Sequence, residues 1–161
     1  MNAIVPILMG SRADLSQAQA IAEALKTFGI ASEIRVGSAH KTPAHVLAIL
    51  QAYEADPRAK VYITIAGRSN ALSGFVDAQV SAPVIACPPI SNTFAGADIY
   101  SSLRMPSGVA PAVIIEPTGA ALLAAKILAL GDPEMKARIE AYQRKLIDTI
   151  VKDDAEVKGN G

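Results

Sequence analysis

Five predicted strands alternate along the chain with segments of helical periodicity. They cover residues 3–8, 32–36, 60–66, 82–87 and 112–116; all are mainly apolar except 32–36, which alternates polar and apolar residues. The first contains no charged residue, as is typical of a strand that is buried on both faces of a sheet. Strands separated by helices at this spacing form a parallel sheet with right-handed crossovers. The sequence therefore predicts an α/β fold built on one central parallel sheet.

The length of the chain and its uniform pattern predict a single domain spanning residues 1–161. This length is close to the roughly 150 residues of an average domain, and the sequence contains no internal repeat, low-complexity segment or linker. We expect a core over residues 3–130, an amphipathic C-terminal helix over 132–152 and a frayed tail over 153–161. We also expect the C-terminal helix to extend to a neighbouring subunit.

The composition argues against several classes of partner. Lys plus Arg equals Asp plus Glu, and a chain with zero net charge lacks the basic character that binding to nucleic acid or an acidic membrane requires. The longest apolar stretches, such as residues 109–115, are much shorter than the ~20 residues of a membrane span, and no signal-peptide pattern is visible. The lone Cys87 is typical of a reducing compartment, so we expect a cytoplasmic protein. Its high apolar content predicts a homo-oligomer.

Polar loops follow the first three predicted strands, at residues 9–13, 37–42 and 67–70. The carboxyl ends of parallel strands lie at one edge of a sheet, which is where ligands bind in open α/β folds. We therefore expect the three loops to form one composite site.

The first loop has small residues suited to an anion. Gly10 and Ser11 would let backbone N–H groups approach a phosphate or a ribose oxygen, and Ser11 adds a hydroxyl. Asp14 is expected to cap the next helix, with Gln17 in the capping-box position, and could also accept a bond from a ribose hydroxyl. The loop matches neither a Walker A nor a GxGxxG pattern, so ATP and dinucleotides are not supported. The alternative is a surface turn without function.

The second loop holds the candidate acid/base, His40, between Ser38 and the helix N-terminus expected at Thr42 and Pro43. The cation of Lys41 favours the neutral imidazole, which is the form that can take a proton from carbon. A surface histidine without function is the alternative.

The third loop places a cation, a hydroxyl and an amide together, on Arg68, Ser69 and Asn70. A solvated polar turn is the alternative interpretation. Cys87 precedes a proline pair and is interpreted as a small buried residue. With two histidines and one cysteine in the chain, we expect no metal site.

Five motifs occur in order between about residues 4 and 130 and suggest a family. They are Gly10-Ser11-x-x-Asp14, Gly37-Ser38-Ala39-His40-Lys41-Thr42, Ala66-Gly67-Arg68-Ser69-Asn70, Cys87-Pro88-Pro89 and Ser101-Ser102-Leu103-Arg104-Met105-Pro106-Ser107-Gly108. Together they resemble the phosphoribosylaminoimidazole carboxylases of de novo purine biosynthesis.

That family has two branches, which differ in the third loop. Mutases move the carboxylate of N5-carboxyaminoimidazole ribonucleotide to C4 and typically read Gly-Gly-Ala-Ala-His there. Direct carboxylases, called class II, add CO2 to C4 of 5-aminoimidazole ribonucleotide (AIR) and read Gly-Arg-Ser-Asn. This chain has the second form, and it has Lys41 where mutases usually carry arginine. It therefore resembles class II.

The resemblance implies a three-layer α/β/α sandwich of the flavodoxin-like or Rossmann-like kind, assembled as a tetramer or octamer with active sites between subunits. It implies no ATP, biotin, metal or other cofactor. Ser11 and Asp14 would contact the ribose 5-phosphate and Ser38 the phosphate. His40 would be the acid/base, and Lys41 and Ser69 would bind CO2 or the carboxylate. The other implied substrate-binding positions are Gly10, Ala39, Gly67, Arg68 and Asn70.

Three other functions remain open at this point. The first is the mutase reaction on the same scaffold. The second is carboxylation of a pyridinium nucleotide in nickel-cofactor synthesis, although those proteins carry a long extra N-terminal region and the first strand is expected here at residue three. The third is a nucleotide-sensing module, which would not need His40.

Overall fold

A six-stranded parallel sheet crosses the computed structural model, which describes residues 2–159. The strands are β1 (Ala3–Met9), β2 (Ala31–Val36), β3 (Ala59–Lys60), β4 (Tyr62–Ile65), β5 (Val84–Ala86) and β6 (Ala112–Val113). The helices are α1 (Leu15–Thr27), α2 (Pro43–Glu54), α3 (Ala71–Asp77), α4 (Tyr100–Leu103), α5 (Pro117–Leu128) and α6 (Pro133–Gly159). The spatial order of the strands is β2-β1-β4-β5-β6, with the short β3 also paired to β1.

Helices cover both faces of the sheet. Alternate side chains of β1 point in opposite directions, so Val5 and Ile7 enter a core shared with α1 and α5, whereas Ile4 and Leu8 enter a core shared with α2 and α3. All seven residues of β1 are buried, as the apolar run predicted. The predicted three-layer α/β/α sandwich is confirmed.

The strands are shorter than the apolar runs. The predicted strand 60–66 is divided into β3 and β4 at Val61, and the run 82–87 is a strand only over Val84–Ala86. Pro83 has no N–H to donate to a neighbouring strand, although its carbonyl accepts a 2.9 Å hydrogen bond from the Tyr62 amide. Apolar runs mark which segments are buried and do not mark where ladder hydrogen bonds end.

The predicted capping role of Asp14 is wrong. The Asp14 side chain makes no capping hydrogen bond to α1, and Ser11 Oγ instead accepts a bond from the Ala13 amide. The Asp14–Gln17 capping box therefore does not form. Helix α5 begins at Pro117, because the fixed φ of proline and its missing N–H suit the first helical position.

The predicted frayed tail is wrong over residues 153–159, which continue α6; residues 160 and 161 lie outside the described part of the chain. The sequence after Pro133 contains no glycine or proline before Gly159, so nothing in it ends the helix earlier. Lys152 Nζ lies 3.6 Å from Glu156 Oε1, an i,i+4 pair that supports the last turns. Exposure to solvent does not prevent this segment from being helical.

Candidate active site

The order of the strands creates a crevice at the carboxyl edge of the sheet. Strands β1 and β4 are neighbours in the sheet. Helix α1, which follows β1, packs on one face, and α3, which follows β4, packs on the other, so the loops after these two strands diverge. The Gly10 amide donates to Ile65 O at 2.9 Å, and the Gly37 amide donates to Met9 O at 3.0 Å. These bonds hold the starts of all three predicted loops at one edge, as expected.

The first loop combines an exposed hydroxyl, Ser11, with a half-buried carboxylate, Asp14. Burial raises the pKa of the Asp14 carboxyl above its ordinary value, and the positive charge of Arg68 opposes that rise. Because Arg68 belongs to the third loop, the first and third loops are electrostatically coupled across the crevice.

The second loop is held by hydrogen bonds between its own residues. The Thr42 amide donates to Ser38 O at 2.8 Å, and the Ser38 amide donates to Thr42 Oγ1 at 3.0 Å. The Lys41 amide donates to Ser38 Oγ at 3.3 Å. This compact turn leaves the side chains of His40 and Lys41 exposed at the edge of the sheet, rather than within the core.

Two glycines allow close approach of the loops to their surroundings. A Cβ atom on Gly37 would lie 2.8 Å from Val46 Cγ2, and one on Gly67 would lie 2.9 Å from Pro89 Cγ. The second loop is therefore pressed against α2, and the third loop against the proline pair that follows β5.

The third loop is divided between an exposed and a buried half. Arg68 and Ser69 are exposed, and Arg68 has a left-handed backbone with φ of 58°. Asn70 is only 5% exposed; its Nδ2 donates to Ser102 Oγ and its Oδ1 accepts from the Ser73 amide and hydroxyl. Asn70, which we expect to contact substrate, uses its Oδ1 and one Nδ2 hydrogen within the protein, and these bonds shape the loop.

Sequence reasoning assigned no role to the partners of Asn70. Ser101 and Ser102 belong to the fifth family motif, and Ser73 follows the third loop. No signal in the sequence marks these contacts, because an exposed serine bonds to water and only burial makes a protein partner necessary.

Cys87 is buried, as predicted, and burial raises the pKa of its thiol. Gln17 Nε2 donates to the Cys87 carbonyl oxygen at 2.9 Å, which is where the predicted capping-box residue points instead. A cleft of about 330 Å³ lies beside Gln17, Ile90 and Pro117 and does not include His40. Across residues 2–159, no helix is long and apolar enough to cross a bilayer, and no group of three potential metal ligands is found.

A profile of the AIR carboxylase family matches residues 4–149, which is most of the chain. The chain belongs to the AIR carboxylase family. The phosphoribosylaminoimidazole carboxylase of Treponema denticola is 57% identical over 158 residues, covering 98% of this chain and 99% of that protein. The enzyme of the same name from Archaeoglobus fulgidus is 51% identical over 152 residues, covering 94% and 83%.

The crystal structure of Treponema denticola PurE has the same fold as this AIR carboxylase chain. The two match with a TM-score of 0.95 at 57% identity, over 97% of this chain and 99% of that one. The predicted family is confirmed, and with it an enzyme of purine biosynthesis. The three loops described above are the candidate active site of this family member.

Proposed function

We propose that this AIR carboxylase joins CO2 directly to C4 of AIR, reversibly and without ATP, to give 4-carboxy-5-aminoimidazole ribonucleotide (CAIR). One observation carries the proposal. The chain has both the Gly67-Arg68-Ser69-Asn70 loop and Lys41, and the loops that contain them begin at the same edge of the sheet as the loop of His40. The relatives from Treponema denticola and Archaeoglobus fulgidus are named as carboxylases, which supports carboxylation as the reaction.

The ribose 5-phosphate of AIR would bind at the first two loops. Ser11 and Asp14 would contact the ribose 5-phosphate, with the carboxylate of Asp14 accepting a hydrogen bond from a ribose hydroxyl. Ser38, near the N-terminus of α2, would bind the phosphate, since a helix N-terminus favours anions. Backbone groups at Gly10, Ala39 and Gly67 would complete the binding surface.

The carboxylation step needs few protein groups. The C4 carbon of AIR is enamine-like, and its electron pair forms the new bond to the carbon of CO2 once the two are held together. A carboxylate forms, and C4 becomes tetrahedral while it still carries its hydrogen. His40 then takes that proton, the C–H electrons restore the aromatic ring, and the proton leaves to solvent. Acid/base help of this kind is worth roughly 10²–10⁴ in rate.

Lys41 and Ser69 would bind the CO2 end. The ammonium of Lys41 stabilises the carboxylate as its charge develops, and this attraction strengthens when water is excluded. Lysine is a compact point charge rather than a flat two-pronged donor, so arginine is not an equivalent replacement.

An ATP-free carboxylation assay tests the proposal. We expect purified protein to form CAIR from AIR and dissolved CO2, with an initial rate that changes when carbonic anhydrase alters the supply of CO2. The activity should survive EDTA, since no metal takes part in the scheme. Turnover of N5-carboxyaminoimidazole ribonucleotide, without turnover of AIR, would instead establish the mutase reaction.

We further propose that the enzyme is a cytoplasmic homo-oligomer, a tetramer or octamer with active sites between subunits. All residues from 143 to 159 of α6 are exposed, including the apolar Leu146, Ile147, Ile150 and Val151. Exposed apolar stripes of this kind are typical of subunit contacts. Light scattering on the purified enzyme measures the subunit count, and a monomer at micromolar concentration would contradict this part of the proposal.

A further inference from the structure

The short helix α4 is tied to the third loop of the site by two neighbouring serines. Ser102 Oγ accepts a 2.9 Å hydrogen bond from Asn70 Nδ2, and Ser101 Oγ accepts a 3.0 Å bond from the Asn70 backbone amide. The Ser101 hydroxyl also lies 2.8 Å from the Asp98 carbonyl oxygen and 3.2 Å from that of Arg68, between which its single proton is shared. Side chain and backbone of one loop residue are thus held from the same turn of α4.

The hydrogen bonds continue into the core. Ser73 Oγ donates to Asn70 Oδ1 at 2.9 Å, and the hydroxyls of Ser73 and Thr64 lie 2.7 Å apart, where either can be the donor. Five polar or charged residues are buried within residues 2–159, and four of them, Thr64, Asn70, Ser73 and Ser102, form this cluster. A buried polar cluster with satisfied bonds orders the groups it joins, because any other arrangement leaves a buried group unpaired.

The loop needs such support because its backbone is unfavourable at Arg68. A residue other than glycine seldom adopts a positive φ, and such a conformation persists only where the surroundings determine it. The Ser101 hydroxyl contacts the backbone on both sides of Ser69, at Arg68 O and at the Asn70 amide. The direction in which the exposed Ser69 and Arg68 side chains point is therefore set by α4.

We infer that Ser101 and Ser102 are positioning residues for catalysis, which hold the third loop in the conformation that presents Ser69 to the CO2 end of the substrate. The inference deepens the proposed function and rests on it. The ribose 5-phosphate of AIR is proposed to bind at Ser11 and Ser38, on the first and second loops. None of the hydrogen bonds of the buried polar cluster reaches those two loops. Removing the hydroxyl of Ser101 or Ser102 should therefore impair the use of CO2 more than the binding of AIR.

The test compares Ser101→Ala and Ser102→Ala with two controls. Ser81→Ala is the matched control, since Ser81 is exposed in the turn before β5. Ile21→Val loses buried packing in α1 and controls for stability alone. The first readout is amide hydrogen exchange of a peptide covering residues 67–72, which needs no activity. The second is steady-state kinetics with AIR and CO2 varied separately.

We expect faster exchange of that peptide in both serine variants and in neither control. We expect kcat/KM for CO2 to fall about five- to tenfold, the equivalent of one lost hydrogen bond, with the KM for AIR within twofold of the wild-type value. Unchanged exchange in both variants would overturn the inference, as would faster exchange with no loss in kcat/KM for CO2, or equal losses for both substrates. A wild-type enzyme that does not carboxylate AIR fails the proposed function, and the exchange measurement still decides whether α4 holds the loop.

Discussion

Adding one methyl group at Gly37 tests how the second loop is positioned. The new Cβ would lie 2.8 Å from Val46 Cγ2, whereas carbon atoms in contact are normally about 3.5–4.0 Å apart. Val46 is fully buried among Ile49 and Leu50, so it has little room to withdraw. The loop must therefore move by roughly 1 Å. His40 follows three residues later and should move with it.

The size of the effect follows from that displacement. A misplacement of about 1 Å can reduce activity by roughly 100-fold, so we expect Gly37→Ala to lower kcat/KM by about 10- to 100-fold. Overpacking of this kind should also lower the free energy of unfolding by about 1–3 kcal/mol. Activity is measured in the carboxylation assay and stability by urea unfolding.

Val46→Ala supplies the matched test, because it removes the Cγ2 atom that the new methyl would meet. Alone, it should destabilise the protein by roughly 2 kcal/mol through the cavity it leaves, with little loss of activity. Combined with Gly37→Ala, it should restore kcat/KM to within a few-fold of the wild-type value. A Gly37→Ala enzyme with full activity would refute the reasoning, and so would a double variant as impaired as the single one.

Four further changes test other parts of the site. His40→Asn should lower the rate of C4 proton exchange by about 10²–10⁴ while AIR still binds in an equilibrium assay. Lys41→Arg should raise the KM for CO2 and leave that for AIR unchanged, because the larger guanidinium cannot occupy the position of the ammonium. Burial raises the pKa of Asp14 in the folded state, so its ionised form destabilises the fold. Asp14→Asn should therefore raise the melting temperature at pH 7, by an amount that vanishes as the pH falls below 3.8, while the KM for AIR rises roughly 10- to 100-fold. Ending the chain after Gln143 should dissociate the oligomer, as measured by light scattering, because it removes the exposed apolar residues of α6. The subunit itself should stay folded, since the removed residues of α6 are all exposed.

Residue order alone was enough to predict the central parallel sheet of this protein and the edge at which its site lies, whereas the three-layer arrangement came from the family resemblance. The run at β1 is apolar at every position, and burial on both faces is the only way to remove it from water. Once the strands are parallel, their carboxyl ends share an edge, so the loops that carry Ser11, His40 and Ser69 begin at that edge. These conclusions depend on periodicity and chain direction, which are local properties of a sequence.

Other features depended on partners distant in the chain. Gln17 had the spacing of a capping residue, yet it donates to Cys87, seventy positions away. Asn70 follows the polar residues of a predicted binding loop, yet its side-chain amide forms hydrogen bonds with Ser102 and Ser73 inside the protein. Such a side chain can form either a local or a distant hydrogen bond, and it bonds to the buried partner that packing brings within reach. Only the tertiary structure specifies that partner.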